Sequence, residues 1–240
     1  MLLFVLVPAL IGLVVVAAVN YGASRNTLRT QLMADLGTMT DLQLSELRTA
    51  STLLRGILRS STEVPQIVAY LEARANGGQA DTLKELEQRA TSYLRDMDAN
   101  YTLLDGIGGT DPAGKIVLHS DAASVGLDIS ARQYFNESMR SGDFGVEDVQ
   151  NKTNKRTATI ISLPVKREGK TLGLIFVKLD CESFAKLTTN RVSLGEEGQA
   201  YVYNSTGMLV LYKDGKQIGR VDADVPHVKE MLGKSEGHLY

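Results

Sequence analysis

The sequence predicts an α+β protein in which a transmembrane helix continues into a long stalk helix, and modules built on antiparallel sheets follow. Three observations lead to this prediction. Residues 1–19 contain no charged side chain, leucines recur at mostly helical spacing over residues 24–60, and short β-type runs separated by turns begin after Gly106. A helical region followed by a series of short strands is typical of the α+β class.

The composition excludes several classes of protein. The 240 residues are 43% hydrophobic and 22% charged, which is the profile of a globular chain. The net charge of −2 provides no basic field for nucleic acid, so nucleic acid is not an expected partner. A single cysteine excludes an internal disulfide framework and a zinc or iron–sulfur site of the Cys-x-x-Cys type.

The first predicted element is a transmembrane helix over residues 1–19. Nineteen residues at about 1.5 Å rise cover roughly the hydrocarbon thickness of a bilayer. Pro8 and Gly12 are tolerated in spanning helices. The alternative is a cleaved signal peptide, which calls for a basic start and a small-x-small cleavage site that are not clear here. Arg25 and Arg29 follow the span, and by the positive-inside rule alone they would place the next residues in the cytoplasm.

Helical patterns fill residues 20–104. The stalk helix is expected over about Ser24–Ser60, and its apolar face packs either on its own domain or on a second copy in a homodimer seam. A second helix begins at Val64-Pro65 and runs to about Arg74. A third helix is expected from about Asp81 to Tyr101, with apolar side chains along one face.

Strand patterns dominate residues 105–190 and reappear in residues 191–240. One helix is expected among them, closed by a Ser-Gly pair. The predicted strands are Lys115–His119, Thr157–Lys166, Leu172–Leu179, Ala200–Asn204 and Met208–Tyr212, and the predicted helix is Ala131–Arg140.

An internal repeat links these two regions. Thr110–Gly126 and Tyr203–Gly219 align without gaps at an offset of 93 residues. Each copy reads as a strand, a turn with glycine, and a second strand, so we expect two related modules. The second copy reaches Tyr240 soon after it begins, and we expect it to be truncated. The identical pairs are Gly114/Gly207, Val117/Val210, Leu118/Leu211, Asp121/Asp214 and Gly126/Gly219.

Three stretches of the sequence resemble the double Cache (PAS-like) extracellular sensor of bacterial chemoreceptors: Gly126–Gly142, Thr157–Asp180 and Leu194–Gly219. The resemblance implies a complete membrane-distal Cache module at 105–190 and the start of a membrane-proximal module at 191–240. It also implies a homodimer anchored in the bacterial inner membrane with its sensor in the periplasm or medium, and it outweighs the charge signal after the span.

The function implied by this resemblance is chemoreception. Ligand binding outside the cell would be signalled across the membrane for chemotaxis. The alternatives are the sensor region of a histidine kinase or diguanylate cyclase, and a membrane-anchored binding protein without cytoplasmic output. No Gly-x-Ser-x-Gly, His-Glu-x-x-His or paired-carboxylate motif occurs, so an enzyme is not expected.

The candidate ligand-binding residues are Arg132, Tyr134 and Phe135, because a guanidinium fork suits a carboxylate and aromatic side chains can enclose a ligand. The alternative is that Arg132 braces the helix through a salt bridge to Asp128. Amino-acid-binding Cache domains carry Arg-x-Trp-Tyr, whereas Tyr134 and Phe135 occupy the aromatic positions here. The resemblance therefore leaves an amino acid, an organic acid or another amphipathic metabolite open.

Further candidates come from the strands that follow. Family residues that hold the ligand's ammonium group map near Asp148, and the last of them maps to Lys178 or Asp180. The second group of candidates is Asp128, Asp148, Thr157, Thr159 and Asp180.

Two other signals do not predict chemistry. Gly109–Ile116 matches most of a phosphate-binding loop, but Ile116 replaces the magnesium-binding hydroxyl and a strand follows, so we interpret it as a β-turn. The three histidines and Cys181 lack partners at metal-ligand or nucleophile–base spacing. We expect neither a metal nor a cofactor.

Overall fold

The computed structural model describes residues 2–150, 157–181, 184, 201–212 and 217–233, without the side chains of residues 2–19, 43, 47 and 211. Two compact units make up the chain, Met1–Leu47 and Arg48–Tyr240. The first unit consists of the N-terminal part of helix α1, which runs over Leu2–Thr62. The side chains of the expected membrane span, residues 1–19, lie outside the described residues. Within the described part of the chain, no helix is both long and apolar enough to cross a membrane.

Four further α-helices have described bounds in the second unit. Helix α2 begins with Pro65 at its first turn, where the missing amide hydrogen of proline is harmless, and Asn76 follows its last residue. The helix near the predicted Ala131–Arg140 ends at Gly142, which adopts a left-handed φ of 72°. The bounds are Pro65–Ala75 for α2, Ala80–Asn100 for α3, Gln133–Ser141 for α4 and Pro226–Leu232 for α5.

A five-stranded antiparallel sheet with the order β2-β1-β5-β4-β3 forms the centre of the second unit, and strands β6 and β7 pair in a small separate sheet. The predicted α+β class with antiparallel sheets is therefore confirmed. The strands are β1 Leu104–Thr110, β2 Ile116–His119, β3 Gly145–Gln150, β4 Thr157–Arg167, β5 Lys170–Asp180, β6 Val202–Tyr203 and β7 Leu209–Leu211.

Strands β1 and β3 were not predicted from the sequence. Strand β1 contains three glycines, a residue type that usually weakens a strand. Gly108 is accommodated here because a Cβ at this position would lie 2.6 Å from both the His119 and the Phe176 ring. The glycine thus leaves room for two aromatic rings that a β-branched residue would exclude.

Both faces of the large sheet are covered. Helices α2 and α3 pack against β1, β2 and β5, and α4 packs against β3, β4 and β5. The buried side chains between α4 and the sheet form one apolar cluster, called here the α4 cluster. Its members are Ile116, Ile129, Tyr134, Phe135, Ile160, Leu174 and Phe176.

The described parts of the two repeat copies share the geometry of one turn. Asp111 Oδ1 and Asn204 Oδ1 each accept hydrogen bonds from the amides two and four residues later, at 3.0–3.1 Å. Gly114 and Gly207 have positive φ values of 90° and 77°. A Cβ on either glycine would lie 2.8 Å from the backbone of the residue sixteen positions later. The repeat therefore extends from sequence identity to the hydrogen-bond pattern.

Candidate functional site

Arg132 lies at the N-terminus of helix α4. Its backbone is extended (φ −76°, ψ 143°), and its carbonyl oxygen accepts a hydrogen bond from the Asn136 amide at 3.1 Å. The buried Ile129 anchors the chain just before this turn. Arg132 therefore occupies the N-cap position, and its side chain remains 54% exposed.

Tyr134 and Phe135 point into the α4 cluster. They are only 2% and 6% exposed, and the Tyr134 ring lies 5.9 Å from the Phe176 ring, centroid to centroid. Burial raises the pKa of the Tyr134 hydroxyl well above its ordinary value, because the phenolate would lose its hydration. These two aromatic side chains therefore belong to the core, next in sequence to the exposed Arg132.

Glu147 on strand β3 faces the start of α4. Its Oε1 lies 3.7 Å from Arg132 Nη1, and its Oε2 accepts a hydrogen bond from the Tyr134 amide at 3.2 Å. Asp128 instead accepts a hydrogen bond from the Ser130 amide at 2.8 Å, which lowers the pKa of its carboxyl group. Among the described residues, the ion pair of Arg132 is therefore with Glu147, and not with Asp128, the partner named in the alternative interpretation.

Strand register separates Glu147 from Asp148. Glu147 pairs with Ile160 of the α4 cluster, whereas Asp148 pairs with Thr159 on the opposite face of the sheet. Asp148 Oδ1 accepts a hydrogen bond from Thr159 Oγ1 at 2.6 Å, and Oδ2 accepts one from Asn204 Nδ2 at 2.7 Å. The Asp148 carboxylate thus joins the large sheet to the turn before β7.

Thr157 lies in the same junction between the large sheet and the second repeat copy. It is buried, and its hydroxyl has no hydrogen-bond partner among the described residues. A Cβ on Gly219 would overlap Thr157 Oγ1, and Gln150 Nε2 donates to the Gly219 carbonyl oxygen at 3.5 Å. Of the predicted site residues, Asp148, Thr157 and Thr159 therefore lie together, on the face of the sheet opposite α4.

Strand β5 contributes two charged residues to the α4 face. Lys178 pairs with Ile160 and Asp180 with Ala158, so the two side chains lie two positions apart on one face. Lys178 forms an ion pair with Asp105 of β1, and Asp180 is buried. Asp105 and Glu147 were not predicted as site residues, because the face on which a strand residue lies is known only once the register of the strands is known.

His119 and Cys181 are both buried, and their contacts are those of core residues. The His119 ring lies 5.7 Å from the Phe176 ring, and its Nδ1 accepts a hydrogen bond from the Asp121 amide at 2.9 Å. Burial lowers the pKa of His119 and raises the pKa of the Cys181 thiol to about 11. Among the residues that the structure describes, no group of three His, Cys, Asp or Glu side chains could hold a metal ion.

The depressed pKa of His119 makes stability depend on pH. Below about pH 6.5 the unfolded chain protonates this histidine while the folded chain does not, so we expect the unfolding free energy to fall as the pH drops from there. Urea denaturation between about pH 5 and 7 measures this slope. His119→Gln should flatten it, and His227→Gln, an exposed control, should retain it. An unchanged slope in His119→Gln would contradict the assignment.

The chain is similar to proteins of one known family. The Cache domain family model dCache_1 matches residues 24–238. The sensor domain of the Vibrio cholerae histidine kinase DctB is 14% identical with a TM-score of 0.65, over 79% of this chain and 69% of that chain. The sensory domain of the Campylobacter jejuni chemoreceptor Tlp3 with isoleucine bound is 15% identical with a TM-score of 0.58, over 88% and 76%.

A third similar structure is the ligand-binding domain of the Pseudomonas aeruginosa amino acid chemoreceptor PctC in complex with GABA, at 15% identity and a TM-score of 0.58, over 80% of both chains. No curated protein sequence matches the chain. Cache domains are extracellular sensor domains of membrane receptors, they bind small ligands, and they are typically not enzymes. Because the family model matches most of the length of this chain, the chain belongs to the dCache family of Cache sensor domains.

Proposed function

We propose that this chain is the ligand-sensing, extracytoplasmic part of a transmembrane chemoreceptor for chemotaxis, and that it binds a small carboxylate-bearing molecule at the start of helix α4. The observation that supports this most directly is Arg132. Its side chain is half exposed at the N-cap of α4, a helix that the buried Tyr134 and Phe135 hold in the core. A guanidinium in this position can bind a carboxylate through two hydrogen bonds.

The charges around Arg132 support an amino acid as one class of ligand. The distance of 3.7 Å to Glu147 exceeds that of a hydrogen bond, so the pair leaves the guanidinium free to bind a carboxylate. Glu147 Oε1 can then accept a hydrogen bond from an ammonium group. An organic acid has no ammonium group, so it would bind through the Arg132 guanidinium alone.

The proposed test replaces Arg132 with alanine. We expect Arg132→Ala to weaken binding of an amino or organic acid found in a thermal-shift screen by at least about tenfold, because a charge-assisted hydrogen bond contributes about 1.5–3 kcal/mol. Arg140→Ala is the matched control, since it removes the same charge from the exposed last turn of the same helix. Equal affinities in the two variants would refute the carboxylate assignment.

We also propose that residues 1–19 anchor the chain in the bacterial inner membrane, that the sensor faces the periplasm or medium, and that the stalk over Ser24–Ser60 pairs in a homodimer. Helix α1 covers both segments without a break, which supports a direct mechanical path from sensor to membrane. The shared turn geometry of the two repeat copies supports a distal module at 105–190 and the start of a proximal module at 191–240.

A histidine kinase sensor is the second candidate, because the DctB sensor domain resembles the chain at a TM-score of 0.65. A diguanylate cyclase and an anchored binding protein without output share the same sensor chemistry. The output domain encoded in the same gene distinguishes these functions. A chemotaxis signalling domain would support the first proposal, and a kinase or cyclase domain would replace it.

A further inference from the structure

A cavity of about 570 Å³ lies at the hairpin end of the large sheet. The end of α2, the first turn of α3, the turn between β1 and β2, and the beginning of β5 surround it. Its volume falls within the range of roughly 300–1,000 Å³ that is usual for small-molecule sites. None of its lining residues belongs to the α4 cluster or to the Arg132–Glu147 pair.

The inner surface of this cavity is apolar. Leu71 of α2 and Leu172 of β5 are buried, at 1% and 4% exposure, and Leu83 of α3 is half-buried beside them. These three leucines come from three different elements, so the cavity lies where α2, α3 and β5 meet and is not a groove along one helix. An apolar group placed there would be removed from water on several sides.

The border of the cavity carries an excess of positive charge. Arg74 lies in the last turn of α2 and Lys170 at the first position of β5, and both side chains are exposed. Asp111 is the one acid in the lining, and its Oδ1 already accepts hydrogen bonds from two turn amides, at 3.1 and 3.0 Å. Within the described residues, neither Arg74 nor Lys170 forms an ion pair, and the polar contact of the Arg74 side chain is with the neutral hydroxyl of Tyr70.

We propose that this cavity is a second small-molecule site, which binds an amphipathic monocarboxylate. The apolar tail lies against Leu71, Leu83 and Leu172, and the carboxylate meets the guanidinium of Arg74 and the ammonium of Lys170. A ligand with one apolar and one anionic end matches a cavity with leucines inside and two cations at its border. The site is separate from the carboxylate site proposed at Arg132 and does not depend on it.

Calorimetric titration of the full chain tests this proposal with hexanoate, acetate and hexylamine as probes. We expect hexanoate to bind, acetate to bind at least about tenfold more weakly because it lacks the tail, and hexylamine not to bind because the border repels it. The double variant R74Q/K170Q should weaken hexanoate binding at least about tenfold. Because both side chains are exposed, the variant should keep the circular dichroism of the wild type.

Two control variants distinguish this site from non-specific anion binding and from the site at Arg132. K84Q/R89Q removes the same charges from exposed positions on α3 outside the cavity and should leave hexanoate affinity unchanged. Arg132→Ala should also leave it unchanged, so that failure at either site is distinguishable from failure at the other. The proposal is overturned if hexanoate does not bind, if R74Q/K170Q binds it as well as the wild type, or if Arg132→Ala abolishes binding.

Discussion

Replacing Gly173 with alanine should destabilise the chain by about 3 kcal/mol or more, because the new methyl group would overlap backbone atoms in the middle of the sheet. A Cβ at position 173 would occupy the place of the Thr110 carbonyl oxygen and lie 2.9 Å from its carbon. Thr110 is fully buried and pairs with Leu174 across β1 and β5. The overlap can therefore be relieved only by separating two central strands.

Gly169→Ala is the matched control for this substitution. Gly169 also has a positive φ, 78°, but no atom lies within 4 Å of a Cβ built there. Its replacement should cost only the conformational strain, about 1–2 kcal/mol. Urea denaturation followed by circular dichroism compares the two free energies of unfolding. Equal losses in the two variants would show that the strands separate easily at this point.

Phe176→Ala should destabilise the chain by about 3–5 kcal/mol, the range for removing a buried phenylalanine from a core. Phe176 is 4% exposed and contacts the rings of both Tyr134 and His119. Because it supports Tyr134 from below, its loss should also loosen helix α4 and weaken ligand binding at Arg132. Chemical denaturation and a ligand titration measure the two effects on the same sample.

The same substitution at Phe144 provides the comparison. Phe144 is half-buried at the start of β3, and the Arg55 guanidinium lies 4.8 Å from its ring centroid. Phe144→Ala loses a cation–π contact of about 0.5–1 kcal/mol and part of its buried area, so its total loss should be clearly smaller. If Phe144→Ala destabilised the chain as much as Phe176→Ala, the α4 cluster would not be the main contact that holds helix α4 on the sheet.

The helices and the longer strands could be predicted because their periodicity is local. Helix α4 and strands β4 and β5 follow patterns of apolar residues that need no knowledge of their neighbours. Strand β1 could not be predicted in this way, since its glycines are explained by side chains of other strands, such as the His119 and Phe176 rings beside Gly108.

Only part of the candidate site could be predicted from the sequence, and the reason is again physical. Arg132, Tyr134 and Phe135 lie on one short helix, so their grouping at the start of α4 follows from sequence alone. Choosing between Glu147 and Asp148 requires the register of β3 on β4, because a shift of one residue moves a side chain to the other face of the sheet. The family resemblance implied Asp148 as a ligand-binding residue. The pairing of β3 with β4 instead places Glu147 on the face of the sheet where Arg132 lies.

The two repeat copies share backbone hydrogen bonds in their described parts and differ in charge. At the offset of 93 residues, the N-cap position of Arg132 in α4 becomes Val225 in α5, while the flanking backbone hydrogen bonds are retained. Under the proposed function, duplication therefore supplied two scaffolds but one receptor for carboxylate at a helix start. Valine at the second position offers no guanidinium, so the second copy would take part in sensing, if at all, by contacts of another kind.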